Sequence, residues 1–507
     1  MTGTGFVWQN PVLRGTAPDP SVVRVGGEYV VAVSTFDHLP GIRLYRSTDL
    51  VHWTDLGGAV TRPAQYRRDG RPGPLSLFAP TLRHRDGRWY LVCTNVTEGQ
   101  GNFLLHADDP EGPWSDAIWL DREAFDPSLF FDDDGTCYYT RRSLDLSTPG
   151  GDLGPIVQTV LDPDTGRLGE IRAITPGPRG YCSNDIEGPH LYRRGDWVYL
   201  FAAEGGTWQG HMQTVARSRS PWGPFEGAPH NPVLTHRHRV MHPIQSLGHA
   251  ELVDDPHGGW WALMLGTRHR GRHHLLGRET FLAPVMWEDG WPVIGDGGTV
   301  ELEGRTQRSP ATGAAARPGP GGVWAAGWRS LGPMPAAALD GADVEVPLGP
   351  PLGTDIRRPA GALLRPQSAP RQSFSTRAPQ PRDGAAVGIA AVADPAHLYA
   401  LRLSVGPSGR CATFTRRVDD LETEERIALP LGLRPTLRID ADPARYAFSI
   451  LDENGAVLWQ GQGSARLLSA ETCEWFTGVH FALLAEGAPG AGVRFEGVRQ
   501  KDGAEDG

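Results

Sequence analysis

Lysine is almost missing from this chain: of 507 residues only Lys501 is one, and arginine carries the rest of the positive charge. With abundant Ala, Gly and Pro, that bias reads as high-GC coding rather than chemistry. Positive charge is also in deficit, with a formal net charge of -10. That argues against a nucleic acid or an anionic membrane as the main partner. No apolar run approaches the ~18 residues of a membrane-spanning helix. The start, MTGTGFVWQNPVLRG, lacks a basic segment and an apolar core, so no secretory signal is read and a cytoplasmic location is expected. The five cysteines are odd in number, scattered and without a CxxC pair. They read as reduced, mostly buried thiols, and the sequon at Asn95 is expected to go unused. Helical periodicity is nearly absent over the first 300 or so residues, which removes an α/β layout.

What the chain does have is a pattern repeated five times: a small polar cluster, a short apolar run, a Gly- or Asp-containing turn, then an aromatic-rich run. The copies begin at Asp19 (DPSVVRVGGEYVV), Ala79 (APTLRHRDGRWYLV), Asp126 (DPSLFFDDDGTCYY), Glu187 (EGPHLYRRGDWVYL) and His249 (HAELVDDPHGGWWAL). Self-similarity of this kind marks a repeat architecture. Further strand-and-turn signals follow the hairpins, as in RLYRSTDLVHWTDLG and TVARSRSPWGPFEG. Five repeats of about four strands predict an all-β, five-bladed propeller over residues 1–303. Residues 304–327 turn rich in Arg, Pro, Gly and Ala and read as a linker or crossing segment. Alternating apolar and polar runs then predict a β-sandwich over 328–500, with a disordered tail at 501–507.

Aligned on Val22, Leu82, Leu129, His190 and Leu252, the copies place Asp19, Ala79, Asp126, Glu187 and His249 in one phase. In a propeller the first strand of each blade lines the central channel, so these side chains converge on its mouth. Asp-Pro and Glu-Gly-Pro also occur in plain turns, but three carboxylates in one phase, each leading a strand, indicate a shared site. Crowded like charges raise at least one pKa. That yields one protonated acid and one ionised base, the pair glycoside hydrolysis needs.

The motifs APDPS, STFDHLPGIRLYRSTDLVHW, LFAPTLRHRDGRWYLVCTNV, AFDPSLFFDDDG, IEGPHLY, AEGG, GHAELV and LGRETFLAPVMWEDGWPV occur in order. Together they resemble glycoside hydrolase family 43, in the branch of β-xylosidases and α-L-arabinofuranosidases with an appended β-sandwich. The resemblance implies an exo-acting, inverting enzyme that removes terminal pentoses from xylo- or arabino-oligosaccharides. It implies Asp19 as general base, Glu187 as general acid, and Asp126 as the residue that orients Glu187 and raises its pKa. Arg278 matches a substrate-contacting arginine. His249 matches a channel-floor histidine that in relatives sits by a calcium ion or a water cluster; no cofactor is needed for the chemistry. Phe36 and Phe78 match aromatic walls for the sugar, and a Phe in place of the Trp usual in β-xylosidases tilts the expectation toward arabinofuranosides. Trp208 is expected at the rim, and Trp475 and Phe476 either in a loop entering the active-site mouth or in the sandwich core.

In the loops HRHR (236–239) and RHRGRHH (268–274) the Arg-interleaved spacing is poor for ligation and nearby acids are lacking, so they read as a basic rim or solvated loops rather than metal sites. Two other readings compete with this one. A fructosidase of the same architecture would carry a WMNDPNG-like start and an RDP motif, and neither occurs. A non-catalytic sugar-binding propeller would carry a broken acid–base set, whereas all three carboxylates are present. A homo-oligomer stays open.

Overall fold

A computed structural model describes residues 5–145, 152–175, 180–183, 185–406, 409–430 and 432–503. Five antiparallel sheets follow one another in the chain, each with four principal strands. Their innermost strands are Ser21–Val25, Leu77–Arg85, Ser128–Phe131, Ile186–Arg194 and Ile244–Asp254. These define blades I to V and carry the five sequence copies. Each innermost strand pairs with the aromatic-rich run after its turn, as in Val22 with Val31, Leu82 with Leu91 and Leu129 with Tyr139. Those runs are buried at nearly every position and pack against the neighbouring blade. Leu82, Leu91, Phe103 and Trp89 of blade II pack with Val30, Leu44 and Val60 of blade I, all nearly sealed from solvent. A sheet buried on both faces needs near-continuous apolar strands, as in Tyr29–Val33 and Val198–Ala203.

The ring closes through the N-terminus. Phe6–Gln9 pairs with Glu303–Thr306, and Asn10 then crosses to blade V. Its side-chain amide donates to the Leu282 and Glu301 carbonyls at 3.0 Å each and accepts from Leu282 N–H at 2.9 Å. The expected linker is therefore a strand at its first residues, because Glu303–Thr306 pairs with Phe6–Gln9 in a two-stranded sheet of its own. The remainder is a crossing segment laid on blade I: Tyr29 donates to the Pro310 carbonyl at 2.7 Å, and Arg317 pairs with Glu28 at 2.7 Å.

Beyond it, a seven-stranded and a six-stranded antiparallel sheet face each other. Phe374, Val387, Leu401, Ile439, Phe448, Phe481 and Phe495 form a shared core between them. The last strand runs Gly490–Asp502, so Lys501 and Asp502 are paired with Ser373 and Gln372 rather than part of a tail. Residues 504–507 lie outside the described residues. The sandwich docks on blade I and blade V. Ser330–Leu331 pairs with His38–Leu39, and Val479 N–H donates to the Leu275 carbonyl at 2.7 Å.

Candidate active site

The five copies bring their leading residues to one mouth of the ring, through a feature the sequence pattern did not reveal. Asp19, Asp126 and His249 take left-handed backbone, with φ of 53°, 57° and 48°. Such angles are uncommon for residues with a Cβ and persist where the surrounding fold fixes them. In blade IV the left-handed residue is Gly188 (φ 54°), one position after Glu187. A Cβ there would sit 2.9 Å from His249 Cε1, so only glycine fits. Register shifts fall at the same level, between Phe78 and Thr81, Glu187 and His190, and Gly248 and Glu251. Bulges of this kind re-aim side chains beside active sites. Here they aim them at the channel mouth.

Three carboxyl groups meet there. Asp19 Oδ2 accepts from Ser34 Oγ at 2.6 Å, and its Oδ1 lies 3.5 Å from Arg278 Nη1. Asp126 Oδ2 accepts from Gly188 N–H at 3.0 Å, which ties it to the backbone beside Glu187. Glu187 Oε2 accepts from Arg142 Nη1 at 2.8 Å, and the other arm of that guanidinium donates to Asp185 Oδ1 at 2.6 Å. Burial lifts the Glu187 pKa to about 7; Arg142 opposes this, while Asp185 and Asp19 add to it. Burial likewise pushes Asp126 well above the ordinary carboxylate value, with Glu187 and Asp19 adding repulsion. Asp126 and Glu187 are coupled, so a charge on Glu187 disfavours one on Asp126.

An aromatic wall stands over these groups. Phe36 meets Phe78 with ring centroids 5.4 Å apart, and Phe476 lies 5.5 Å from Phe36 and 5.7 Å from Phe78. Trp208 stacks on Phe476 at 5.9 Å. The Arg278 guanidinium sits over both Phe36 (5.1 Å) and Phe476 (4.8 Å) and donates to Thr207 Oγ1 at 2.7 Å. Phe476 comes from the sandwich. Its neighbour Trp475 donates to Asp37 Oδ2 of blade I at 3.0 Å. Of the two placements open for Trp475 and Phe476, the loop at the mouth is the one observed.

Residues 8–292 match the family described as Glycosyl hydrolases family 43. The chain belongs to this family. It is 42% identical over 299 residues to the non-reducing end α-L-arabinofuranosidase BoGH43B of Bacteroides ovatus, a match covering 58% of this chain and 54% of that protein. It is 42% identical over 297 residues to a xylosidase/arabinosidase of Butyrivibrio fibrisolvens, covering 57% and 56%. These matches span little more than half the length of either relative. The xylan β-1,4-xylosidase structure from Bacillus halodurans superposes with a TM-score of 0.87 at 28% identity, covering 98% of this chain and all of that one. Propeller and sandwich together are thus the architecture of this family 43 chain.

The floor of the family 43 site is a sealed polar layer. The His249 and His190 rings lie 5.8 Å apart, and His249 Nδ1 is 3.9 Å from Asp19 Oδ1. Below them Glu251 pairs with Arg83, and His190 Nδ1 is 3.2 Å from Ser128 Oγ. Calcium takes six to eight oxygen ligands. Asp19 is the carboxylate against His249, while Glu251 is paired with Arg83 and lies 3.5 Å from His190 Nδ1, so these two side chains alone do not supply such a shell.

Sequence reasoning missed Arg142, Asp185, Ser34 and Thr207. Arg142 lies in the middle of a strand run, TRRSLD, with nothing to separate it from Arg141, which instead pairs with Asp121 at 2.6 Å. Asp185 stands two residues before Glu187 and was the one readable signal. In the first histidine loop His236 is buried and bonded on both ring nitrogens: Nδ1 is 2.9 Å from the Ile244 carbonyl, and Nε2 accepts from Val300 N–H at 3.1 Å. The second differs from expectation. Its histidines do meet an acid, Glu471, supplied by the sandwich 197 positions away from His274.

Proposed function

We propose that this chain is an exo-acting, inverting glycoside hydrolase that removes terminal non-reducing α-L-arabinofuranose or β-D-xylose from oligosaccharides. The observation that carries the proposal is the environment of Glu187: a buried carboxyl whose pKa of about 7 keeps a proton available at neutral pH. A general acid works best with a pKa near the operating pH. In the proposed reaction Glu187 protonates the glycosidic oxygen as its bond to the anomeric carbon breaks. Asp19 takes a proton from the water that attacks the opposite face of that carbon. Arg278, beside Asp19, donates to a sugar hydroxyl. Asp126 fixes the backbone next to Glu187 through Gly188 N–H and, by mutual repulsion, favours the protonated form of the pair.

The rings of Phe36, Phe78, Phe476 and Trp208 offer apolar surface to one sugar, and the wall that the sandwich adds through Phe476 supports exo action. Phe78, and a 42% identical relative named as an arabinofuranosidase, favour the arabinofuranoside; a second relative named for both activities keeps xylosides in range. The five cysteines, none of them in a disulfide, suit a cytoplasmic enzyme. The test is a paired assay on aryl α-L-arabinofuranoside and aryl β-D-xyloside, with Glu187→Ala as control and proton NMR of the first-formed anomer. Retained configuration would reject the single-displacement scheme, and binding without turnover would favour the sugar-binding propeller.

A further inference from the structure

The second histidine loop meets the sandwich at a place the proposed reaction does not use. His269 and His274, from the turn between the second and third strands of blade V, face Glu471 of the short helix Ala470–Cys473. His274 Nδ1 lies 2.8 Å from Glu471 Oε1, and His269 Nε2 lies 3.9 Å from the same oxygen. One potential ligand atom from each of the three residues falls within 4.8 Å of the others. The two imidazoles are nearly parallel, with centroids 5.2 Å apart and planes inclined by 22°.

We propose that His269, His274 and Glu471 bind one divalent first-row transition metal ion, zinc being the reference ion, and that the ion clamps the sandwich loop to the propeller. Zinc bonds of about 2.0–2.2 Å to nitrogen and oxygen place tetrahedral ligands roughly 3.3 Å apart. The two histidine-to-Glu471 separations bracket that value, and no two of the three ligand atoms are more than 4.8 Å apart, so ligation draws any pair together by at most about 1.5 Å. Two imidazoles with one carboxylate suit zinc, copper, iron or nickel better than calcium or magnesium. A fourth position is open to water, because the histidines line a cleft of about 680 Å³ between the two domains, which is also the entry path. A second cluster, Asp394–His397–Cys473, is a weaker candidate: Asp394 Oδ1 already accepts two backbone N–H groups of its own turn, from Ala396 and His397.

The position gives the clamp its consequence. Glu471 lies four residues before Trp475 and five before Phe476, so an ion at Glu471 fixes the base of the loop whose tip walls the sugar pocket. Because the ligands do not touch the reacting carboxylates, this role stands whatever sugar the enzyme takes.

The experiment uses untagged full-length protein stripped with a chelator and dialysed against zinc chloride. Elemental analysis should find one equivalent bound. Cobalt(II) in its place should give the visible bands of a tetrahedral site. Hydrogen exchange over residues 470–476 should slow when zinc is added. His269→Gln and Glu471→Gln should each weaken binding by at least about 10–100-fold, while His249→Gln should leave it unchanged. His269→Gln removes the more loosely engaged histidine and guards against a Glu471 variant that misfolds. Absence of stoichiometric zinc, binding undiminished in His269→Gln, or loss of binding in His249→Gln alone would each overturn the assignment.

Discussion

Asp185→Asn tests the proposed acid without touching it. Asp185 and Glu187 share the Arg142 guanidinium, at 2.6 and 2.8 Å. Asp185 raises the Glu187 pKa and Arg142 lowers it. Neutralising Asp185 therefore acts twice in one direction: it removes a repulsive charge and leaves Arg142 to act on Glu187 alone. Two charges about 5 Å apart interact by ~3 kcal/mol at an effective dielectric constant of ~20. Water at the partly exposed Asp185 reduces this, and a downward shift of about one unit is expected. With its pKa at about 7, Glu187 is protonated in roughly one molecule in ten at pH 8. One unit lower makes that about one in a hundred, so the variant should lose about tenfold in kcat/KM at pH 8. Near pH 5, where the acid is protonated in both, the loss should stay within about twofold. The assay is kcat/KM against pH on an arabino-oligosaccharide, with released pentose measured directly. An aryl glycoside with a good leaving group is the internal control, since it needs little protonation. An alkaline limb that stays in place, moves upward, or moves equally for both substrates would refute the assignment of Glu187.

Glu187→Gln should stabilise the protein as pH rises. The wild-type carboxyl titrates at about 7 folded against an ordinary 4.5, so the folded state binds more protons between those values and loses stability as pH increases through them. The loss is complete above pH 7 and is on the order of 3 kcal/mol; chemical denaturation at pH 4.5 and pH 8 should show the variant gaining only at the higher pH, and a pH-independent difference would contradict the burial argument. The same variant should lose hydrolysis of natural oligosaccharides far more than of activated aryl glycosides. Phe476→Ala removes ring contacts to Phe36, Phe78, Trp208 and Arg278 and should raise KM about tenfold, worth ~1.4 kcal/mol, with kcat less affected; an unchanged KM would place the sandwich loop outside the sugar pocket. Gly188→Ala would put a Cβ 2.9 Å from the His249 ring and should cost about 1–3 kcal/mol in stability, measured by thermal melting, together with activity.

The blades were legible because each must solve the same local problem. A strand buried on both faces, a tight turn and an aromatic return strand recur whenever a sheet packs between two others, and the sequence repeats with them. Phase then carried Asp19, Asp126, Glu187 and His249 to one ring, because a residue three positions before a buried anchor occupies the same level in every blade. What periodicity does not encode is departure from it. The register shifts at Phe78, Glu187 and Gly248 break the two-residue alternation, and the left-handed angles at Asp19 and Asp126 have no compositional mark.

Contacts between distant segments were hidden for a different reason. Arg142 became readable as the partner of Glu187 only when blades III and IV stood side by side, 45 positions apart in sequence. The loop holding Glu471, Trp475 and Phe476 belongs by sequence to the sandwich, and its alternation resembles any other strand exit. Its function depends on where the sandwich docks, which is set by the His38–Leu39 and Ser330–Leu331 pairing and by Val479 on Leu275. One rigid docking thus delivers two things at once, an aromatic side chain to the sugar pocket and a carboxylate to a pair of histidines. Phe476→Ala disturbs the first and Glu471→Gln the second. If the loop acts as one lever, zinc removal should raise KM in the same sense as Phe476→Ala and should add nothing further in that variant.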